Sequence, residues 1–412
     1  MASPLTRIRP ALPSRPTGED HRVTTLELFF DLVFVFAITQ VTALVAADLT
    51  AEGVVKGALL LVLLWFAWAS FSWLGNQAKA DEGVLRLGLV AAMAGLFVVA
   101  LAIPESYDDA GDGPSAPLML VLALTFVRLS HLAVYAVAAD GDRALLRQLG
   151  LTAVPVAVAC SLLAAGALVG GDGQVLLWFA AAVVDIAAYR IGDASNWRLS
   201  APAHFAERHG LIVIIAIGES IVAIGVGVGG RPLTGPVVLA AVLGLAVSVA
   251  LWWTYFDVVA LDAERVLTSK EGQERTSLAR DSYSYLHLPM VAAIIFMAVG
   301  MKKVVSYVAD TDGHDLSDPL TGIPLALLYG GAAVYLLAHI AFRLRNVHTL
   351  NSARLVIAIA LGPLTLVAAT LPAVAALGLL AAVLLGLVAF EAVRFAEDRD
   401  QVRHAEHGVP RD

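Results

Sequence analysis

Twelve apolar blocks, each about the 17–25 residues a helix needs to cross a bilayer, divide this chain and leave it few other ways to fold. They fall at residues 24–47, 54–74, 84–103, 117–138, 149–169 and 174–190 in the first half. The second half holds 204–228, 234–255, 283–308, 322–343, 353–370 and 372–394. Two joints stay open, at Gly362-Pro363 and at the short Leu371-Pro372 turn. Only 15% of the 412 residues are charged and 59% are hydrophobic, whereas a soluble domain carries about a quarter charged residues. The pattern predicts an all-α polytopic membrane bundle of about twelve transmembrane helices. Residues 1–22 lack the apolar core of a signal peptide and read as a cytosolic tail. The single Cys160 excludes an intramolecular disulfide.

Lys and Arg set the expected threading. With the N-terminus inside, most of the 27 basic residues gather in alternate connectors, among them Arg22, Arg86, Arg143, Arg198, Arg265, Arg280, Arg345 and Arg394. The intervening connectors are acidic, with Asp108 and Asp109 before the fourth block and Asp310 and Asp312 before the tenth. Both termini are therefore expected in the cytoplasm of a cell with the chain in its inner (plasma) membrane. The net charge of −8 says little about partners, because the signs are segregated by connector.

The first and seventh blocks are alike. Leu32–Gln40 (LVFVFAITQ) and Leu211–Glu219 (LIVIIAIGE) align, and Trp68–Phe71 resembles Trp253–Phe256. His131 in the fourth block matches His339 in the tenth. An even number of helices per unit makes the units parallel. The expected organisation is a tail at 1–23, six-helix repeats at 24–199 and 200–394, and a tail at 395–412.

Ionisable residues inside such blocks carry the functional information, since a charge in hydrocarbon is expensive and turns toward protein or water. Glu27 and Asp31 are four apart and share a helical face. Arg128, His131 and Tyr135 form one stripe, and Arg208 and Glu219, three turns apart, share another face. Arg128 and Glu219 both fall near the midplane, which predicts that they pair, either as a structural tie or as part of a site. Asp31 and His131 are expected at one depth and could exchange protons. His204 and Glu207 mark the entrance of the seventh block, with solvated and buried positions both open for them and for His209. Asp185, Gln40, Ser220 and His339 complete the expected polar path. Trp65, Trp68, Trp73, Trp252 and Trp253 read as belt or packing aromatics, and His287 and Glu391 as interfacial. Gly225 and Gly229 suggest close helix packing rather than a nucleotide loop. His204 and His209 are five apart, about 140° round a helix, unlike the one-face spacing of HExxH; no metal site is expected.

The run from Thr25 through Glu27, Phe30 and Asp31 to Gln40 resembles the signature of the bacterial low temperature requirement protein A family. The stretch His204 through Glu207, His209 and Gly210 to Glu219-Ser220 is similar to that family's second hallmark, and Arg128-x-x-His131 and Tyr335-x-x-x-His339 fit as well. The likeness covers about residues 20–395. It implies a multi-pass inner-membrane protein named for a cold-growth phenotype, and it names no substrate. Arg22 and the run from Phe30-Asp31 to Thr39 also resemble the first helix of lysosomal and prokaryotic potassium channels built from six-helix repeats. There, Phe30 replaces the motif Ser and Gly210 stands where a second Asp belongs.

The expected function is a transporter or channel passing a small solute or ion along a polar path lined by the first, fourth, seventh and tenth blocks. The expected partners are the lipid bilayer and that solute, with no nucleic acid, cofactor or metal. A membrane-embedded lipid enzyme is the first rival, but the chain lacks the HxxxH and HxxHH boxes of desaturases. A sensor or scaffold is the second, with short connectors offering little surface.

Overall fold

A computed structural model describes residues 21–77, 82–108, 115–139, 141–191 and 197–394. Most of the expected tails, 1–20 and 395–412, lie outside the described residues. The first half contains α1 (Thr25–Ala47), α2 (Ala51–Gly75), α3 (Gly83–Ala102), α4 (Ala116–Ala138), α5 (Arg143–Val169) and α6 (Gly171–Ile191). The second begins with α7 (Pro202–Val228), α8 (Gly235–Phe256), and the short α9 (Val259–Ser269) and α10 (Gly272–Leu278). It ends with α11 (His287–Ala309), α12 (Gly322–Val347), α13 (Ser352–Ala368) and α14 (Ala373–Arg394). Eleven helical segments among the described residues are long and apolar enough to cross a membrane. The twelfth, α13, has 17 residues, about 25 Å of helix against a hydrocarbon core of about 30 Å. It runs straight through Gly362-Pro363, and the break falls at the second open joint, where Pro372 bridges Pro319.

Two short helices and a π-helical turn (Ala279–Tyr285) stand where only a charged linker and the start of a span were legible. In α9 the buried Val259, Ala263 and Leu267 recur every four residues, so an otherwise polar segment presents one apolar stripe to the bundle.

The distribution of side chains is inverted relative to a soluble protein. Val393 is 81% exposed and Leu366 75%, while Asp31, Arg208 and His339 are wholly buried. Apolar surface on this scale around a polar interior fits a hydrocarbon surround. This is a multi-pass membrane protein.

The two halves pack in similar ways. α1 lies on α3 as α7 lies on α11, and α3 on α4 as α11 on α12. α2 meets α6 as α8 meets α14. α1 and α7 are themselves neighbours, and side-chain contacts between them join residues 177 to 181 positions apart. The two helices therefore run parallel and nearly in register.

Close approach in the second half depends on glycines other than those expected. Gly225 faces open space, and Gly229 ends α7 in a left-handed conformation (φ 59°). Gly227, two residues along and on a different face, is the one against α11: a Cβ there would stand 2.7 Å from the Lys302 carbonyl oxygen. On the far side of α11, a Cβ at Gly300 would meet Leu328 of α12 at 2.8–3.0 Å, backbone included. Gly300→Val is expected to destabilise the protein by about 1–3 kcal/mol through forced separation of α11 and α12. Gly330→Ala, which meets nothing within 4 Å, should be neutral or mildly stabilising. Thermal unfolding in detergent compares the two.

Candidate functional site

Local sequence builds one cluster where α1 and α7 begin. Thr24 caps α1: its hydroxyl accepts the Glu27 backbone N–H, and the Thr24 N–H donates to Glu27 Oε2 at 2.9 Å. This Thr-x-x-Glu capping box fixes the Glu27 side chain at the first turn. The start of α7 is held by Asn76 at the end of α2, whose amide donates to the Ala201 carbonyl at 2.7 Å and accepts the Ala201 N–H at 2.8 Å. Pro202 then opens the helix and His204 and Arg208 follow one turn apart. Gly75 makes room: a Cβ there would stand 2.5 Å from Glu27 Oε1.

The resulting contacts are short and buried. Arg208 Nη2 donates to Asp31 Oδ1 at 2.6 Å, and Nη1 reaches Glu27 Oε1 at 3.4 Å. Trp68 Nε1 donates to the same Asp31 oxygen at 2.7 Å. His204 Nε2 lies 3.1 Å from each Glu27 oxygen. The guanidinium also sits over the Trp68 and Phe30 rings. Two carboxylates thus face one arginine, and several polar atoms around it have no hydrogen-bond partner: Asp31 Oδ2, Arg208 Nε and His204 Nδ1. His209 Nδ1 bonds the Phe205 carbonyl at 2.8 Å, and its Nε2 is likewise unmet. Buried polar atoms are ordinarily satisfied, so such a concentration marks a site.

Further along the α1–α7 seam, Thr39 Oγ1 donates to Glu219 Oε2 at 2.6 Å. Among the described residues Glu219 forms no ion pair, although Lys302 is near enough to be felt. Between this level and Arg208 the seam is filled by Phe34, Ile38, Ile212 and Ala216, all fully buried. Eleven residues of α7 separate the two levels, about 16 Å.

The expected pairing of Arg128 with Glu219 is not found. Arg128 instead forms a bidentate pair with Asp185 of α6, its Nη1 donating at 2.9 Å. The reason is topological: α4 packs against α3, α5 and α2 and turns its arginine away from α7. Asp31 and His131 do not meet either. The Phe71 ring packs on His131 and, at its other contact, on Phe30 beside Asp31. The His131 and Tyr135 rings lie tilted against one another, centroids 5.7 Å apart, and a cavity of about 40 Å³ lies between His131, Arg128, Asp185, Ser70 and Thr152. It has room for about two or three waters.

His339 is buried on α12, and Arg354 of α13 donates to its Nδ1 at 2.6 Å. Arg354 also forks onto Glu391 of α14, two bonds of 2.7 Å, and reaches the Thr254 carbonyl. The fourth and tenth blocks (α4 and α12) thus hold Arg128 and His339 in separate contacts away from the seam, while His131 Nε2 and the Tyr135 hydroxyl have no hydrogen-bond partner. Gln40 is partly exposed, Glu207 accepts the Val23 N–H at 3.3 Å, and Ser220 is buried with its hydroxyl turned to its own helix.

Of the two positions open for His204 and His209 the structure takes the buried one, and His287, expected at the interface, is fully buried as well. Trp65 and Trp73 donate to the Ser284 carbonyl and hydroxyl, groups presented by the π-helical turn, and Trp68 belongs to the ion cluster. Trp252 alone of the five is largely exposed, as a belt residue would be. Thr24-x-x-Glu27 was a legible capping signal; Thr39, Asn76 and the Arg354–Glu391 pair carried no local signal.

A bundle of apolar helices enclosing charged clusters defines an integral membrane protein. The chain belongs to the bacterial low temperature requirement A protein (LtrA) family, whose pattern matches residues 22–389. It is also similar to the uncharacterized protein RA0937 of Rhizobium meliloti (strain 1021), 27% identical over 315 residues, 74% of this chain and 75% of that protein. No solved structure matches.

The Arg128–Asp185 pair is balanced and buried on both sides. Arg128→Met alone is expected to destabilise by about 3–5 kcal/mol, by stranding the carboxylate, and Arg128→Met with Asp185→Leu to recover most of that loss. Thermal unfolding of the detergent-solubilised variants measures both.

Proposed function

We propose that this protein is a transporter or channel for a small cation, moved along the α1–α7 seam, and that the conformation described is a closed one. The observation that carries this is a surplus of acidic groups along the seam. Among the described residues the other two buried arginines each pair with a carboxylate, Arg128 with Asp185 and Arg354 with Glu391. Along the seam Glu27 and Asp31 share Arg208, and Glu219, with the Thr39 and Thr42 hydroxyls on it, forms no ion pair among the described residues. A carboxyl without its own base inside an apolar bundle is costly to ionise, so it holds a proton or takes a positive partner, and exchange of one for the other lets a cation come and go. The apolar residues between the two acidic levels form the barrier that such movement must open.

Parallel halves support the same reading. We take residues 24–199 and 200–394 as repeats, with the seam lying where their first helices meet. Transport sites in duplicated bundles gather at the interface between repeats.

The test is flux in proteoliposomes against a panel of monovalent and divalent cations. Asp31→Asn and Glu219→Gln are each expected to lower flux at least about tenfold, while the double variant Arg128→Met/Asp185→Leu retains it. Wild-type flux in both Asp31→Asn and Glu219→Gln would remove the seam from the mechanism.

A further inference from the structure

A second set of donors completes the cluster at the mouth of the seam. His21, just before α1, packs its ring on that of His204, with centroids 4.7 Å apart. One ligand atom from each of His21, Glu27 and His204 lies within 4.8 Å of the others. We infer that these three residues form a binding site for a divalent d-block cation of the zinc, cobalt or manganese type. The inference deepens the proposed function, and rests on it, by naming the class of cation that enters.

The donor chemistry selects the class. Two imidazole nitrogens with one carboxylate oxygen suit borderline metals such as zinc and cobalt, and recur in sites that keep a further position open. Calcium would need six or more oxygens. A soft thiolate site is excluded, because the single Cys160 is on α5.

Geometry and charge agree. Bonds of about 2.0–2.1 Å at tetrahedral angles place neighbouring ligand atoms about 3.3 Å apart. His204 Nε2 already stands 3.1 Å from both Glu27 oxygens. The His21 side of the triangle must shorten by at most about 1.5 Å, and His21 is the one partly exposed member, outside any helix. His204 is fully buried with Nδ1 unmet, an imidazole only half used by packing. Glu27, Asp31 and Glu207 outnumber Arg208 three to one around the site, which offsets the positive ends of two helices. The outer shell is in place as well: Thr24 holds Glu27 Oε2 through both its N–H and its hydroxyl, and Arg208 ties Glu27 to Asp31. A capping box and an ion pair alone would not need His21.

The test titrates the purified full-length protein in detergent with Co²⁺, read by visible absorption, and with Zn²⁺ by calorimetry. One ion per chain is expected, with the absorption of low-coordinate Co²⁺. His21→Ala, at a partly exposed position outside the helices, should weaken binding at least about tenfold. His204→Ala should do the same, with the double variant Arg128→Met/Asp185→Leu as an unaffected control. Absence of stoichiometric binding, or affinities unchanged in both histidine variants, overturns the site. Binding is read without flux, so the two proposals fail separately. Seam-dependent monovalent flux without Co²⁺ binding defeats only this inference, and site-dependent binding without any flux defeats only the transport reading.

Discussion

Arg208 held between Glu27 and Asp31 is the contact on which the rest of the bundle depends. A guanidinium wholly removed from water is tolerable only because two carboxylates on one face of α1 meet it. Their four-residue spacing is what lets one arginine touch both. The contact sets the register of α7 against α1, and with it the position of Glu219 opposite Thr39. It is itself positioned from three directions, by the capping box of α1, by the Asn76 clasp on the start of α7, and by the small residue at Gly75.

Two kinds of buried charge coexist here, and their balance separates them. Arg128–Asp185 and Arg354–Glu391 are one-to-one, bidentate and confined to helices on either flank. Such pairs hold helices in orientation and demand no visitor. The α1–α7 cluster has two acids to one base, together with ring and carboxylate atoms left unmet. The proposed receptor role of the cluster rests on that arithmetic rather than on residue type.

The fold was largely legible because apolar length is a property of single segments: the observed long helices lie within a few residues of the blocks, α5 and α7 included. α9 escaped notice because its apolar stripe is only three residues deep in a charged linker. In the site, Glu27, Asp31, His204 and Arg208 stood out as ionisable groups in lipid-like segments, and the partnership among them did not. Depth along a helix can be counted from sequence, but the direction a side chain faces around the bundle depends on which helices are neighbours. Arg128 and Glu219 share a depth and point to different partners for that reason. Trp68 looked like any other interfacial indole until its N–H was found on Asp31.

The glycine contacts of α11 bear on how this molecule can move. With Gly227 seated against the Lys302 carbonyl on one side and Gly300 against the Leu328 backbone on the other, backbones meet with scarcely a side chain between them. Interfaces that tight have no slack for sliding or tilting. α7, α11 and α12 are thereby clamped into one plank, and the opening that the proposed transport requires would have to swing that plank as a unit away from α1.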